Sequence, residues 1–155
     1  MWKKVIALLS AALLLTACSS NTDQASTSFQ TESLQEKVIF SYVKKQEGKT
    51  LQEYEPSTER DIAATIEDSS NIETFTQAIK ESKKIPGTLN VGSPTYEVTF
   101  QKDGVESSYY LWIDTTAKTS NAMYMNKGDT ETGYSIPVEL TDSINKMLVD
   151  AETSK

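Results

Sequence analysis

The stretch PTYEVTFQKDGVESSYYLWID, Pro94 to Asp114, decides how the rest of the chain is read. Tyr96, Val98 and Phe100 alternate with polar residues, the period of a strand with one buried face. Asp103-Gly104 follows, a pair that supplies the positive φ angles of a two-residue hairpin turn. Ser107 to Ile113 then returns as a second strand. Alternation along it puts Tyr109, Leu111 and Ile113 on one face and Tyr110 and Trp112 on the other. A hairpin with an apolar face needs a cover, so the flanking sequence is read for helices and more strands.

Toward the N-terminus, Glu36 to Val43 (EKVIFSYV) is β-branched and aromatic and predicts a first strand. Gln46 to Lys49 reads as a turn, and Leu51 to Glu55 as a short edge strand stopped by Pro56. Arg60 to Glu67 predicts another strand, with Ile62, Ala64 and Ile66 on one side. Ser70 and Glu73 stand at capping-box spacing ahead of Ile72, Phe75 and Ile79, which mark one face of a helix. Lys80, Lys83 and Lys84 gather where a helix C-terminus favours cations, and Ile85-Pro86-Gly87 ends it. Toward the C-terminus, Thr119 to Asn126 and Gly133 to Val138 read as strands, joined by a loop at Gly128-Asp129. Met123 and Met125 share a face opposite Tyr124. Thr141 is placed to cap a short final helix with Ile144, Met147 and Leu148 facing inward. The expected class is α+β, a mainly antiparallel β-sheet with one central and one C-terminal helix packed on one face.

Ahead of this domain lies a different composition. Lys3 and Lys4 open the chain, Val5 to Leu15 is apolar, and Leu15-Thr16-Ala17-Cys18 closes the segment. An apolar run of about 11 residues is too short to span a bilayer as a helix, which takes roughly 20. Its charged start, apolar middle and small-residue end are the parts of an export signal. Residues 1–17 are therefore expected to be an export signal peptide. Residues 18–33 would be Cys18 and a polar tether with a reach of ~20 Å, and residues 34–155 a single extracytoplasmic domain.

The chain carries 15 Lys and Arg against 22 Asp and Glu, a net charge of −7. Loss of Lys3 and Lys4 with the signal takes it to −9. Such a balance does not draw nucleic acid. Histidine is absent and Cys18 is the single cysteine, so the commonest general base and metal ligand are missing. No cofactor and no metal ligand set is expected. Two Ser-x-x-Lys spacings occur, Ser41/Lys44 and Ser143/Lys146, without the companion motifs of the serine enzymes that use this spacing. Glu97, Asp114, Asp129 and Glu131 fall near strand ends or loops, where solvated surface roles account for them. Nothing in the sequence pairs them for acid–base chemistry. The chain is read as a non-enzyme.

The remaining candidates are aromatic. If the aliphatic sides of the strands face the helices, Tyr110, Trp112 and Tyr124 form a stripe on the far face. Tyr and Trp are the residues that anchor partner interfaces. The competing reading makes the same residues a second-face core covered by other parts of the chain.

Leu15-Thr16-Ala17-Cys18 resembles the lipobox of bacterial lipoproteins. That likeness implies a diacylglycerol on the Cys18 sulfur, cleavage before Cys18, and attachment to the outer side of the cell membrane. From Ile62 to Leu148 the chain resembles the small YhfM-like lipoproteins of Gram-positive bacilli. The residues that carry the likeness are Ile72, Phe75, Ala78 and Ile79, then Pro94, Tyr96, Val98 and Phe100, then Tyr110 to Ile113, and the closing Tyr134-Ser135-Ile136. It implies surface anchoring and one compact domain and brings no catalytic residue with it. The expected function is a membrane-anchored extracytoplasmic lipoprotein, a non-catalytic module for a protein or cell-envelope partner. The alternatives are a small-ligand binding or sensing lipoprotein, with a pocket lined by Phe75, Phe100 or Met123, and an envelope hydrolase using paired carboxylates.

Overall fold

A computed structural model describes residues 35–54, 59–117 and 120–154. The expected signal, Cys18 and tether lie outside these residues, as do Pro56 and Thr119. The described chain forms seven strands and two α-helices. In chain order they are β1 (Lys37–Tyr42), β2 (Asp61–Ile66), α1 (Ser69–Glu81), β3 (Lys83–Lys84), β4 (Tyr96–Lys102), β5 (Val105–Trp112), β6 (Met123–Asn126), β7 (Asp129–Ser135) and α2 (Val138–Thr153). The strands make one sheet in the order β2-β1-β4-β5-β6-β7-β3, and every pairing is antiparallel. This is the α+β architecture expected from the sequence.

The β4–β5 hairpin sits in the middle of the sheet. Its register runs from Tyr96 opposite Leu111 to Lys102 opposite Val105. Asp103 and Gly104 turn the corner with φ of 51 and 77, the left-handed pair that matches the twist of the flanking strands. On β2 the outcome differs from the alternation expected. Phe40 opposes Ala64 but Ser41 opposes Ile62, so Ala63 is an extra residue in a bulge. Ala63, Ala64 and Ile66 are buried, while Ile62 stays exposed on the opposite face.

Helix α1 begins two residues earlier than its capping-box spacing indicates. Asp68 is the N-cap, and its carboxylate accepts the backbone N–H groups of Ser70 and Asn71 at 3.1 Å each. The helix ends at Glu81, so Lys83 and Lys84 lie beyond it and pair with β7 as β3. Leu51 to Glu53 is a single 3₁₀ turn rather than a strand, with Glu53 accepting the Thr50 N–H at 2.9 Å. β7 opens at Asp129, four residues ahead of the expected Gly133, since Lys127-Gly128 suffices for the turn.

Helix α2 starts at Val138, with Pro137 as its N-cap. Thr141 is thus inside the first turn, fully buried, not a cap. Its hydroxyl accepts the Ala122 N–H at 3.0 Å and donates to the Pro137 carbonyl at 3.0 Å. Farther along, Asn145 donates to the Asp114 carbonyl at 3.1 Å, and Glu152 accepts the Tyr42 hydroxyl. These contacts lie at the ends of β6, β5 and β1 in turn. Four and seven helical residues advance about 6 and 10 Å, close to one and two strand spacings of ~4.8 Å. α2 therefore runs across the strands. The Tyr42 hydroxyl, donating to Glu152, has its pKa pushed up to about 12.

Both helices cover one face of the sheet, and the main core lies between them. Phe75 of α1 meets the rings of Phe40, Phe100 and Tyr109 edge-on, with centroids 5.8, 5.9 and 6.3 Å away. Val38, Val98, Leu111, Ile144 and Leu148 fill the space around them.

Candidate functional site

Directly opposed residues in an antiparallel pair share a face. Tyr110 opposes Met125 and Trp112 opposes Met123, so these four lie on the face away from the helices. Leu111 opposes Tyr124, which puts Tyr124 on the helix side. The three-aromatic stripe is therefore not formed. Tyr124 belongs to the main core, stacked on Tyr134 at 5.1 Å and edge-on to Tyr109 at 5.5 Å. Its hydroxyl shares a hydrogen bond with the Ser82 hydroxyl at 2.9 Å, and burial raises its pKa. The reason is register: the methionines of β6, not its tyrosine, stand opposite Tyr110 and Trp112.

Tyr110 and Trp112 do share the far face, but a strap covers them. Two irregular segments form it, residues 43–54 and 85–95. They are joined where the Leu51 N–H meets the Val91 carbonyl at 3.0 Å and the Gln46 N–H meets the Ser93 hydroxyl at 3.3 Å. Leu51, Tyr110 and Met125 form a second, smaller buried cluster, with Tyr54, Leu89, Val91, Trp112 and Met123 packed against it. Tyr54 meets the Tyr110 ring edge-on at 5.8 Å. The Trp112 indole N–H donates to the Gly92 carbonyl at 3.1 Å. Gly133 of β7 is the floor: a Cβ there would collide with Leu89 Cδ1. The end of the Leu89 side chain thus packs close over the β7 backbone, and a Cβ at 133 would push it aside.

One charged pair borders this cluster. Lys127 Nζ lies 2.6 Å from Glu97 Oε1 and 5.8 Å from the centre of the Tyr110 ring. The Glu97 side chain retains only 13% of its exposure. The Tyr110 hydroxyl is held above its ordinary pKa by burial first, then by the Glu97 charge.

The other candidates are placed apart. Asp114 accepts the N–H groups of Thr116 and Ala117 at 2.8 and 3.1 Å, and bonds to the Thr116 side chain and backbone hold its pKa low. Asp129 does the same for Glu131 and Thr132 at 3.1 and 3.2 Å. Each is a turn-forming carboxylate. Among the described residues, no group of three or more His, Cys, Asp or Glu could hold a metal ion. Ser41 is buried in β1 with Lys44 beyond the strand end, and Ser143 spends its hydroxyl on the Glu139 carbonyl at 2.9 Å. Phe75 and Phe100 pack in the helix-side core and Met123 on the opposite face, so they do not line one pocket. Leu51, Leu89 and Val91, the strap's apolar residues, were not legible as a unit. Their one sequence signal is Gly133, a glycine inside a strand. No described helix is long and apolar enough to cross a membrane.

The profile of the YhfM protein family matches residues 35–153, all but the margins of the described chain. No curated protein and no solved structure matches it.

Proposed function

Because the chain belongs to the YhfM protein family, we propose that it is a membrane-anchored extracytoplasmic lipoprotein whose single domain, residues 34–155, is a non-catalytic binding module. One observation carries the anchoring: Leu15-Thr16-Ala17-Cys18, preceded by an apolar run and by Lys3-Lys4. A thioether-linked diacylglycerol on Cys18 adds two acyl chains, and two chains hold a protein firmly where one holds it marginally. The polar residues 19–33 would then let the domain stand off a surface that its negative charge does not favour.

The binding reading is supported by how the polar groups are used. Asp68, Asp114 and Asp129 cap backbone N–H groups, and Glu97 is paired with Lys127. These carboxylates serve the fold rather than converge on a substrate. Of the binding alternatives, a small ligand is favoured over a flat protein interface. Tyr124 is in the core and Tyr110 is buried under the strap, so the expected aromatic stripe offers no flat interface.

Cells fed labelled palmitate are expected to incorporate it into the wild-type chain and not into Cys18→Ala, which should leave the membrane fraction still folded. Absence of label on the wild-type chain would overturn the anchoring.

A further inference from the structure

We propose that Met123 is an oxidation site, and that its conversion to the sulfoxide by a peroxide releases the strap from the sheet. The inference goes beyond the binding-module reading and does not depend on it. In the folded domain, methionine is the only source of sulfur. The single cysteine, Cys18, lies outside the compact unit Glu32–Lys155, whose methionines are Met123, Met125 and Met147. The fold ranks these three. Met147 is buried in the helix-side core, and Met125 is fully buried in the strap-side cluster. Met123 packs against that same cluster but keeps part of its surface in water. A peroxide therefore reaches its thioether in the closed molecule, and reaches the other two only after local opening.

The reaction needs only the oxidant. The thioether sulfur attacks one oxygen of hydrogen peroxide, the O–O bond breaks and an S–O bond forms. The proton on the attacked oxygen passes to the departing hydroxide, which leaves as water. Sulfur loses two electrons and the peroxide gains them. A flexible apolar side chain becomes a polar one, with a new oxygen that accepts hydrogen bonds.

What stands beside that oxygen decides the consequence. Met123 is directly opposite Trp112 on the strap face, and Cβ atoms in such a pair are about 4.5–5.5 Å apart. The indole has a single donor, and it is spent on the Gly92 carbonyl at 3.1 Å, a bond that ties the second strap segment to β5. A sulfoxide oxygen on Met123 competes for that N–H. It also sets a polar group in a cluster that holds Leu89 and Val91, where burial without a partner is costly. The Val91 carbonyl in turn accepts the Leu51 N–H at 3.0 Å, joining the two strap segments. A bond lost at Gly92 is one residue from that junction, so both segments loosen together.

The test uses the chain from position 18 with Cys18→Ser, which has no thiol and one tryptophan, Trp112. Dilute hydrogen peroxide is added, and peptide mass spectrometry follows each methionine. Met123 should oxidise first, and Met147 about tenfold or more slowly, because the helix side must open to admit the oxidant. Over the same time course Trp112 emission should shift and the Leu51 amide should exchange its hydrogen several-fold faster, while the amides of β4 keep their rates. Methionine sulfoxide reductase should return both signals to their starting values. Met123→Leu conserves apolar volume and should hold both signals constant under peroxide. Trp112→Phe, untreated, lacks the bond to Gly92 and should already exchange the Leu51 amide faster than its untreated parent. The proposal is overturned if Met123 is fully oxidised with both signals unmoved, or if Met147 oxidises as fast as Met123. It is overturned as well if Met123→Leu opens in peroxide to the same extent as its parent. A Leu51 amide that exchanges alike in Trp112→Phe and the parent overturns the role given to the indole bond. Should Met123→Leu not fold, the reductase reversal and Trp112→Phe carry the test.

Discussion

On the helix side of the sheet, α1 and α2 press a continuous apolar surface onto the strands, and Phe75 alone meets three other rings. On the strap side, two irregular segments are joined by a few backbone bonds and cover a cluster centred on Tyr110 and Met125. Among the described residues, the helix side contributes nineteen buried core residues and the strap side three. Local opening is least costly where few apolar contacts are lost, so the strap side opens first.

The largest expected effect breaks that comparison directly. Phe75→Ala should cost about 3–5 kcal/mol, because rigid helices and strands surround the void on all sides. Met125→Ala, at an equally buried position, should cost only about 2 kcal/mol, the low end for such a truncation, because the strap can settle into the space. Denaturant unfolding of both variants measures the difference. Equal losses would mean that the strap is as rigid as the helices.

Next in size is the pair at the border of the strap. Lys127→Met leaves the Glu97 carboxylate, mostly shielded from water, without its partner, and should cost about 1 kcal/mol. The exposure of the lysine, 32%, keeps the loss at that level. Glu97→Gln in the same background should recover most of it. A double-mutant cycle over the two positions gives the coupling, and a value near zero would show that the pair only decorates the strap's edge.

How the two faces read from the sequence follows the same division. The helix side was legible because its residues repeat: Ile72, Phe75 and Ile79 at helical spacing, and Tyr96, Val98 and Phe100 at strand spacing. The Asp103-Gly104 turn then fixed the central register. The strap side does not repeat. Leu51, Leu89 and Val91 lie in two segments more than thirty residues apart in the chain, brought together by β1 and β4 being neighbours, and no local pattern records that. Tyr124 was misplaced for a related reason. Alternation fixes which residues of one strand share a face, but the relation between two strands depends on a register set by the β5–β6 connection. Ile62 was misplaced because the Ala63 bulge shifts the period by one. Thr141 was misread because its preference for helix starts is equally served by a buried hydroxyl in the first turn.

The smallest effect concerns the cap that starts the helix-side cover. Asp68 bonds the Ser70 side chain and the backbone N–H groups of Asn71 and Ser70, and these bonds hold its pKa below the ordinary aspartate value. Ionised, it also sits favourably at the positive end of α1. A carboxylate whose pKa is lowered by folding adds stability above its unfolded pKa, and loses it as pH falls through the folded value. Asn is an equally good N-cap but does not titrate. Wild type should therefore melt slightly above Asp68→Asn near neutral pH, and the gap should close below about pH 4, where aspartate begins to protonate. Every other acid is common to both chains, so the difference between their melting curves isolates this group. A gap that stays constant with pH would mean that the cap works through shape alone, and that charge at the start of α1 plays no part in holding the helices down.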